Sequence, residues 1–115
     1  MDKFILKGEG SWNLSPMKYP WAFDMAQKSI ANHWVPGEIS MGKDRSCYEQ
    51  TLSDDERSMF KMVFSSLTTA DLAAAGNLVE QVFGTVKSAE IKMYVGRQIA
   101  EETIHSMSYQ HILEV

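Results

Sequence analysis

The chain has 115 residues and a formal net charge of −4, and 44% of its residues are hydrophobic. This length allows one domain with a modest core. The basic residues are scattered and form no stripe, which argues against nucleic-acid binding. No apolar stretch is long enough to span a membrane or to act as a signal peptide, so we expect a cytoplasmic protein with no membrane partner.

Cys47 is the single cysteine. One cysteine cannot form an internal disulfide, and a zinc site would require several more sulfur or nitrogen ligands. We therefore interpret Cys47 as a small apolar residue.

The predicted elements are all helical. Residues 1–18 are rich in residues that interrupt helices and are interpreted as an extended segment. The first helix is predicted over residues 19–33, where Pro20 suits an initial position. Its large apolar residues follow at roughly helical spacing: Trp21, Met25, Ile30 and Trp34. Residues 35–52 contain one proline and two glycines, which predicts a loop.

Two long helices are predicted after this loop. Ser53 and Glu56 have the spacing of a capping box, which predicts a second helix over residues 54–83. Its inner stripe is Phe60, Phe64, Leu67, Asp71, Ala74, Leu78 and Val82. A third helix is predicted from residue 88 to the C-terminus, with the inner stripe Ile91, Val95, Gln98, Glu102, His105, Tyr109 and Ile112. Such spacing is typical of an all-α bundle.

Three ionisable residues interrupt these apolar stripes: Asp71, Glu102 and His105. A buried carboxylate must be paired, protonated or bound to a metal. Glu102 and His105 are three residues apart on one helix, so both can reach one ion. Ferritin-like dimetal bundles combine such pairs with single carboxylates, a role that Asp71 suits. Oxygen and nitrogen ligands favour iron or manganese. Tyr109 follows one turn after His105, which places a phenol near this site.

Each feature also has an ordinary interpretation. Glu-x-x-His pairs occur by chance on solvated helices, and a single helical aspartate is usually solvated. A tyrosine on an inner stripe is normally a core residue. The combination favours a metal site, but periodicity alone leaves both interpretations open. Glu101 points about 100° away from Glu102, so we expect it to be solvated.

Two segments resemble a known family. Residues 34–39, followed by Lys43, Asp44 and Arg45, are similar to the W-x-P-x-E-[IV] segment of ribonucleotide reductase small subunits. Residues 102–109 resemble the E-T-I-H-S-x-S-Y segment of the same family. The resemblance covers residues 19–115 and implies the N-terminal part of a ferritin-like domain.

The resemblance implies a role for each matching residue. Asp71 and His105 correspond to metal ligands, and Glu102 corresponds to the carboxylate that bridges two metals. Tyr109 corresponds to the tyrosine that holds a radical, and Trp34 to the tryptophan that passes an electron toward the metals. The implied centre is di-iron, with manganese or mixed manganese–iron as alternatives.

The resemblance also implies the function and the partners. The family's small subunit forms homodimers and passes its radical to a large, or alpha, subunit that reduces ribonucleotides to deoxyribonucleotides. Family members are about three times as long, and their C-terminal half supplies the remaining ligands. We therefore expect a fragment, one half of a split subunit or the product of an interrupted gene, inactive alone. A ferritin-like oxygen-reactive or metal-storage protein without radical export, and an inactive remnant, are the alternatives.

Overall fold

The structure, a computed structural model, describes residues 12–114. Most of the predicted extended segment, residues 1–11, lies outside the described residues, and residues 12–18 form no helix or strand. The described residues form four α-helices: α1 (Pro20–Ala31), α2 (Gly42–Gln50), α3 (Asp54–Asn77) and α4 (Ala89–Glu114). They contain no strand, which confirms the all-α prediction. None of these helices is both long and apolar enough to cross a membrane.

Helix α2 corrects the predicted loop over residues 35–52. A 3₁₀ turn at Pro36–Glu38 precedes this helix, and Gly42 occupies its first position. The helix is polar and largely exposed, so it has no apolar periodicity that could have revealed it. The Arg45 guanidinium and the Glu49 carboxylate form an ion pair of 3.0 Å along its surface. Cys47, interpreted as a small apolar residue, is exposed on this helix.

The predicted second helix is confirmed, with a change of backbone near its end. The capping box is present: the Ser53 N–H donates to Glu56 Oε2 at 2.7 Å, and the Glu56 N–H donates to Ser53 Oγ at 3.2 Å. The α-helix ends at Asn77 and continues as a π-helical turn over Leu78–Phe83. The chain is therefore helical over the whole predicted range.

The buried face of α1 differs from the predicted one. Ala22 and Ala26 are buried, at 0% and 2% exposure. Three large apolar residues that had defined the predicted face are exposed at 43–57%, namely Trp21, Met25 and Ile30. Small side chains allow close helix packing, so the alanines, four residues apart, mark the inner face of this helix.

The chain divides into two compact units, and α3 and α4 contribute to both. The first unit comprises the chain up to His33 together with Ala74–Glu101. Its apolar core is Ala22, Val86, Ile91 and Val95. The second unit comprises Trp34–Ala73 and the chain from Glu102 onward. This second unit contains all five residues that were singled out for chemistry.

Glu101 is partly buried in the first unit, which corrects the expectation that it is solvated. Its side chain is 20% exposed and lies 2.8 Å from Arg97 Nη2. The Ser29 hydroxyl donates to Glu101 Oε1 at 2.9 Å. The periodicity of α4 could not show this, because the serine that binds Glu101 lies 72 residues away on α1.

Candidate metal centre

The second unit brings Asp71, Glu102 and His105 together. Asp71 lies on α3, and the other two lie one turn apart on α4. His105 Nδ1 is 3.7 Å from Asp71 Oδ2 and 3.6 Å from Glu102 Oε2. One potential ligand atom from each residue lies within 4.8 Å of the other two. The convergence expected from the two helical stripes is therefore present.

This group combines partial burial with like charges. The side chains of Asp71, Glu102 and His105 are 21%, 18% and 38% exposed. Two carboxylates held close together repel each other electrostatically, and a nearby positive charge relieves that repulsion. The two distances to His105 exceed those of good hydrogen bonds. A cation would therefore stabilise this arrangement.

The geometry and donor types fit a metal ion. Two ligands bound to one ion at about 2.0–2.2 Å can be at most about 4.4 Å apart. The observed spread of up to 4.8 Å is close to that limit. Two carboxylate oxygens and one imidazole nitrogen form a donor set suited to iron or manganese. The three residues could thus hold such an ion after a small contraction.

Tyr109 lies four residues after His105 on α4 and is partly buried. Its ring stacks against Phe64 of α3, with centroids 6.0 Å apart and an interplanar angle of 29°. Residues four apart on a helix share a face, so Tyr109 follows the ligand pair along α4. The sequence placed Phe64 on the inner stripe of its helix but did not show that it contacts Tyr109.

Trp34 lies two residues before the 3₁₀ turn at Pro36–Glu38. It contacts the candidate ligand group. Its ring stacks on His105, with centroids 6.5 Å apart and an interplanar angle of 25°. Only the family resemblance had singled out Trp34, since residue periodicity would have assigned it to the core or a loop. The structure places it directly beside a candidate metal ligand.

Ser106 is a neighbour of this group that the sequence analysis did not single out. It is 4% exposed, and its hydroxyl donates to the Thr68 carbonyl at 3.0 Å. The only feature of the sequence that could have indicated Ser106 is its position next to His105. The partner is 38 residues away, however, and a backbone carbonyl has no signature in the sequence.

Comparison with known proteins assigns the family. Residues 11–115 match the family described as "Ribonucleotide reductase, small chain". The chain belongs to the ribonucleotide reductase small-chain family. This membership confirms the resemblance carried by residues 34–39 and 102–109, and the four helices agree with an all-α, ferritin-like bundle fragment.

Three relatives illustrate the membership. A ribonucleoside-diphosphate reductase subunit beta of Aquifex aeolicus (strain VF5) is 39% identical, covering 96% of this chain and 16% of the relative. A small subunit from Dictyostelium discoideum is 36% identical, covering 99% and 34% respectively. A subunit beta from Chlamydia pneumoniae is 31% identical, covering 88% and 30%. The chain therefore spans between about a sixth and a third of the length of these relatives.

Proposed function

We propose that this chain is the part of a ribonucleoside-diphosphate reductase small subunit that supplies three ligands to a dimetal centre beside a radical-forming tyrosine. The observation that carries the proposal is the convergence of Asp71, Glu102 and His105 within 4.8 Å. Tyr109 follows His105 by one helical turn. The resemblance of residues 102–109 to the family's segment supports the same ligand and radical roles here.

Each ligand has a distinct role in this proposal. Asp71 and His105 would hold one metal ion, and Glu102 would be the carboxylate that the resemblance assigns to both metals. When bound, a pair of ferrous ions would supply electrons to dioxygen and would then, in its oxidised form, be able to oxidise a nearby phenol; manganese or mixed manganese–iron pairs suit the same donors. Ferritin-like bundles complete such sites with a second Glu-x-x-His pair and a further carboxylate. The remaining ligands would then come from polypeptide beyond the described residues.

In this proposal Tyr109 forms the radical and Trp34 transfers an electron. Tyr109 would give one electron to the dimetal centre that dioxygen has oxidised and its hydroxyl proton to the water formed from dioxygen, and would so become a neutral phenoxyl radical. The Phe64 ring, stacked against it, covers part of that phenol and limits the approach of water. Trp34 stacks on the imidazole of His105 and would supply one electron toward the metals when they are bound. In the complete protein, residues 19–115 form the N-terminal part of the ferritin-like domain.

The complete protein's partners follow from the same proposal. A homodimer of the small subunit would pass the radical to the large, or alpha, subunit. That subunit would use it to convert ribonucleotides to deoxyribonucleotides. This chain alone, with three ligands among its described residues, is not expected to be active.

The test is to complete the site and look for the radical. We would fuse this chain to the remaining part of the Dictyostelium discoideum small subunit, load ferrous iron without oxygen, and then admit air. Electron paramagnetic resonance should show a tyrosyl radical, and Tyr109→Phe should abolish it while iron binding persists. Trp34→Phe should slow radical formation without reducing iron content.

The matched control is Tyr94→Phe, which removes a partly buried tyrosine elsewhere on α4. This variant should retain the radical signal of the parent fusion. An unchanged signal in Tyr109→Phe would show that another residue holds the radical. A fusion that binds iron through Asp71, Glu102 and His105 yet forms no radical would favour an oxygen-reactive or storage function.

A further inference from the structure

Ser106 makes a hydrogen bond that differs from those of four other hydroxyls on the helices of the candidate centre. Serine and threonine in a helix commonly donate to the carbonyl four residues back. Four side chains of α3 and α4 do this: Ser66, Thr68, Thr69 and Ser108. Ser106 instead donates across to Thr68 of α3, at 3.0 Å. This bond therefore joins the two helices that carry the ligands.

The bond is buried and lies within about one turn of every candidate ligand. Ser106 is 4% exposed and follows His105 directly. It lies four residues after Glu102, and its acceptor, Thr68, lies three residues before Asp71. A movement between α3 and α4 that separates Asp71 from the other two ligands would therefore also strain or break this bond.

Metal binding requires this relative position to be accurate. One residue along an α-helix corresponds to about 1.5 Å. Metal–ligand bonds tolerate deviations of only about 0.2 Å. Apolar packing is non-directional, whereas a hydrogen bond has a short range and a preferred angle. A buried hydroxyl that bonds one helix to the other can thus fix how far α3 is displaced along α4, which apolar packing alone does not determine.

We propose that Ser106 is a positioning residue that fixes α3 against α4, so that Asp71 meets Glu102 and His105 in one ligand group. This inference rests on the proposed metal site. It adds that the Ser106 hydroxyl, by binding the Thr68 carbonyl, holds the ligands of the two helices in position. Ser106 contacts neither metal nor substrate in this role.

The first measurement requires no metal. Met62 and Met107, exposed at 66% and 61%, are replaced by cysteine in the full chain with Cys47→Ser, and nitroxide labels are attached. Pulsed electron resonance then gives the distance distribution between α3 and α4. Ser106→Ala should broaden or shift this distribution by about 1.5 Å, the rise of one helical residue. Alanine suits helices well, so this variant should fold.

The second measurement is the affinity for Co²⁺ of the unlabelled chain fused to the remaining part of the Dictyostelium discoideum small subunit, monitored through the visible absorption of the bound ion. Ser106→Ala should weaken binding about tenfold, the lower end of what residues supporting metal ligands contribute. Its absorption bands should also change, since the ligand positions are less well defined.

Two controls separate positioning from general loss of stability. Ser108→Ala removes a hydroxyl that donates within α4, to Ile104 at 2.7 Å. Ser53→Ala weakens the start of α3, where Ser53 Oγ accepts the Glu56 N–H. Both variants should match the parent in label distance and in Co²⁺ affinity, measured at a temperature where all variants are folded.

The outcomes distinguish this inference from the proposed function. If Ser106→Ala matches Ser108→Ala in label distance, Ser106 does not position the helices and the inference is overturned. If the parent fusion, which supplies the remaining ligands, binds no Co²⁺, the proposed metal site fails, and with it the role of Ser106 toward the ligands. If the parent and Ser106→Ala bind Co²⁺ equally tightly, the metal site is retained and only the inference about Ser106 is overturned.

Discussion

Glu90 is a buried acid outside the candidate centre, at the start of α4. It is 3% exposed, and its Oε1 accepts the backbone N–H groups of Tyr19 at 2.7 Å and Lys18 at 3.0 Å. Burial raises the pKa of this carboxyl, but hydrogen bonds from its own N–H, the Ser88 hydroxyl and these two amides outweigh burial. The pKa therefore lies below its ordinary value of 4.5. The ionised carboxylate at the start of α4 thus binds the backbone of the two residues that precede α1.

This arrangement predicts a pH-dependent contribution to stability. A lowered pKa means that ionised Glu90 stabilises the fold above pH 4.5, and that this contribution is lost as the pH falls through its folded pKa. Glu90→Gln should reduce the free energy of unfolding at pH 7 by about 1–2 kcal/mol. The difference from the parent should shrink toward pH 3, as measured by urea denaturation. Asp24→Asn, an exposed carboxylate on α1, is the control, and an equal loss in both variants would contradict the prediction.

Individual residues differ in how far the sequence could assign them. Asp71, Glu102 and His105 were predictable because ionisable side chains on apolar stripes have few uses other than mutual pairing or metal binding. Their convergence is seen in the structure, whereas their role as ligands stays a prediction. Glu101 and Ser106 were not predictable, because their partners are 72 and 38 residues away on other helices.

At the scale of elements, local signals at helix ends were more reliable than the patterns of large side chains. The capping box at Ser53 located the start of α3 correctly, because both hydrogen bonds form between residues three apart. On α1, the large apolar residues indicated the wrong face, since the alanines make the buried contacts. Helix α2 was missed because a polar, exposed helix has no apolar stripe. The π-turn after Asn77 has no sequence pattern that periodicity can detect.

The cap of α3 supports a direct prediction. Ser53→Ala removes the acceptor of the Glu56 N–H and should lower the free energy of unfolding by about 1 kcal/mol. The loss should be visible as a lower urea midpoint with an unchanged slope. Ser46→Ala, at an exposed position inside α2, should not lower stability. If Ser53→Ala leaves the midpoint unchanged, water replaces the hydroxyl at no cost and the cap contributes nothing.

For the whole molecule, the candidate centre links metal binding to folding. The three ligands come from two helices, and Asp71 is 31 residues from Glu102 in the sequence. An unfolded chain keeps only the short-range Glu102–His105 pair, so a metal should bind the folded state more tightly. Anything that binds the folded state selectively raises stability by mass action, by about 2.7 kcal/mol at a hundredfold excess over Kd.

We therefore expect Mn²⁺ or Co²⁺ to raise the melting temperature of this chain in a concentration-dependent manner, and chelation to reverse the effect. Asp71→Ala should remove most of the rise, because it leaves only the ligand pair that the unfolded chain also has. Asp24→Ala makes the same change in net charge at an exposed position on α1 and should keep the rise. Calorimetric scans with and without metal make the comparison. Equal rises in both variants would mean that the ions bind the acidic surface in general, and that the 71/102/105 group is a structural polar cluster.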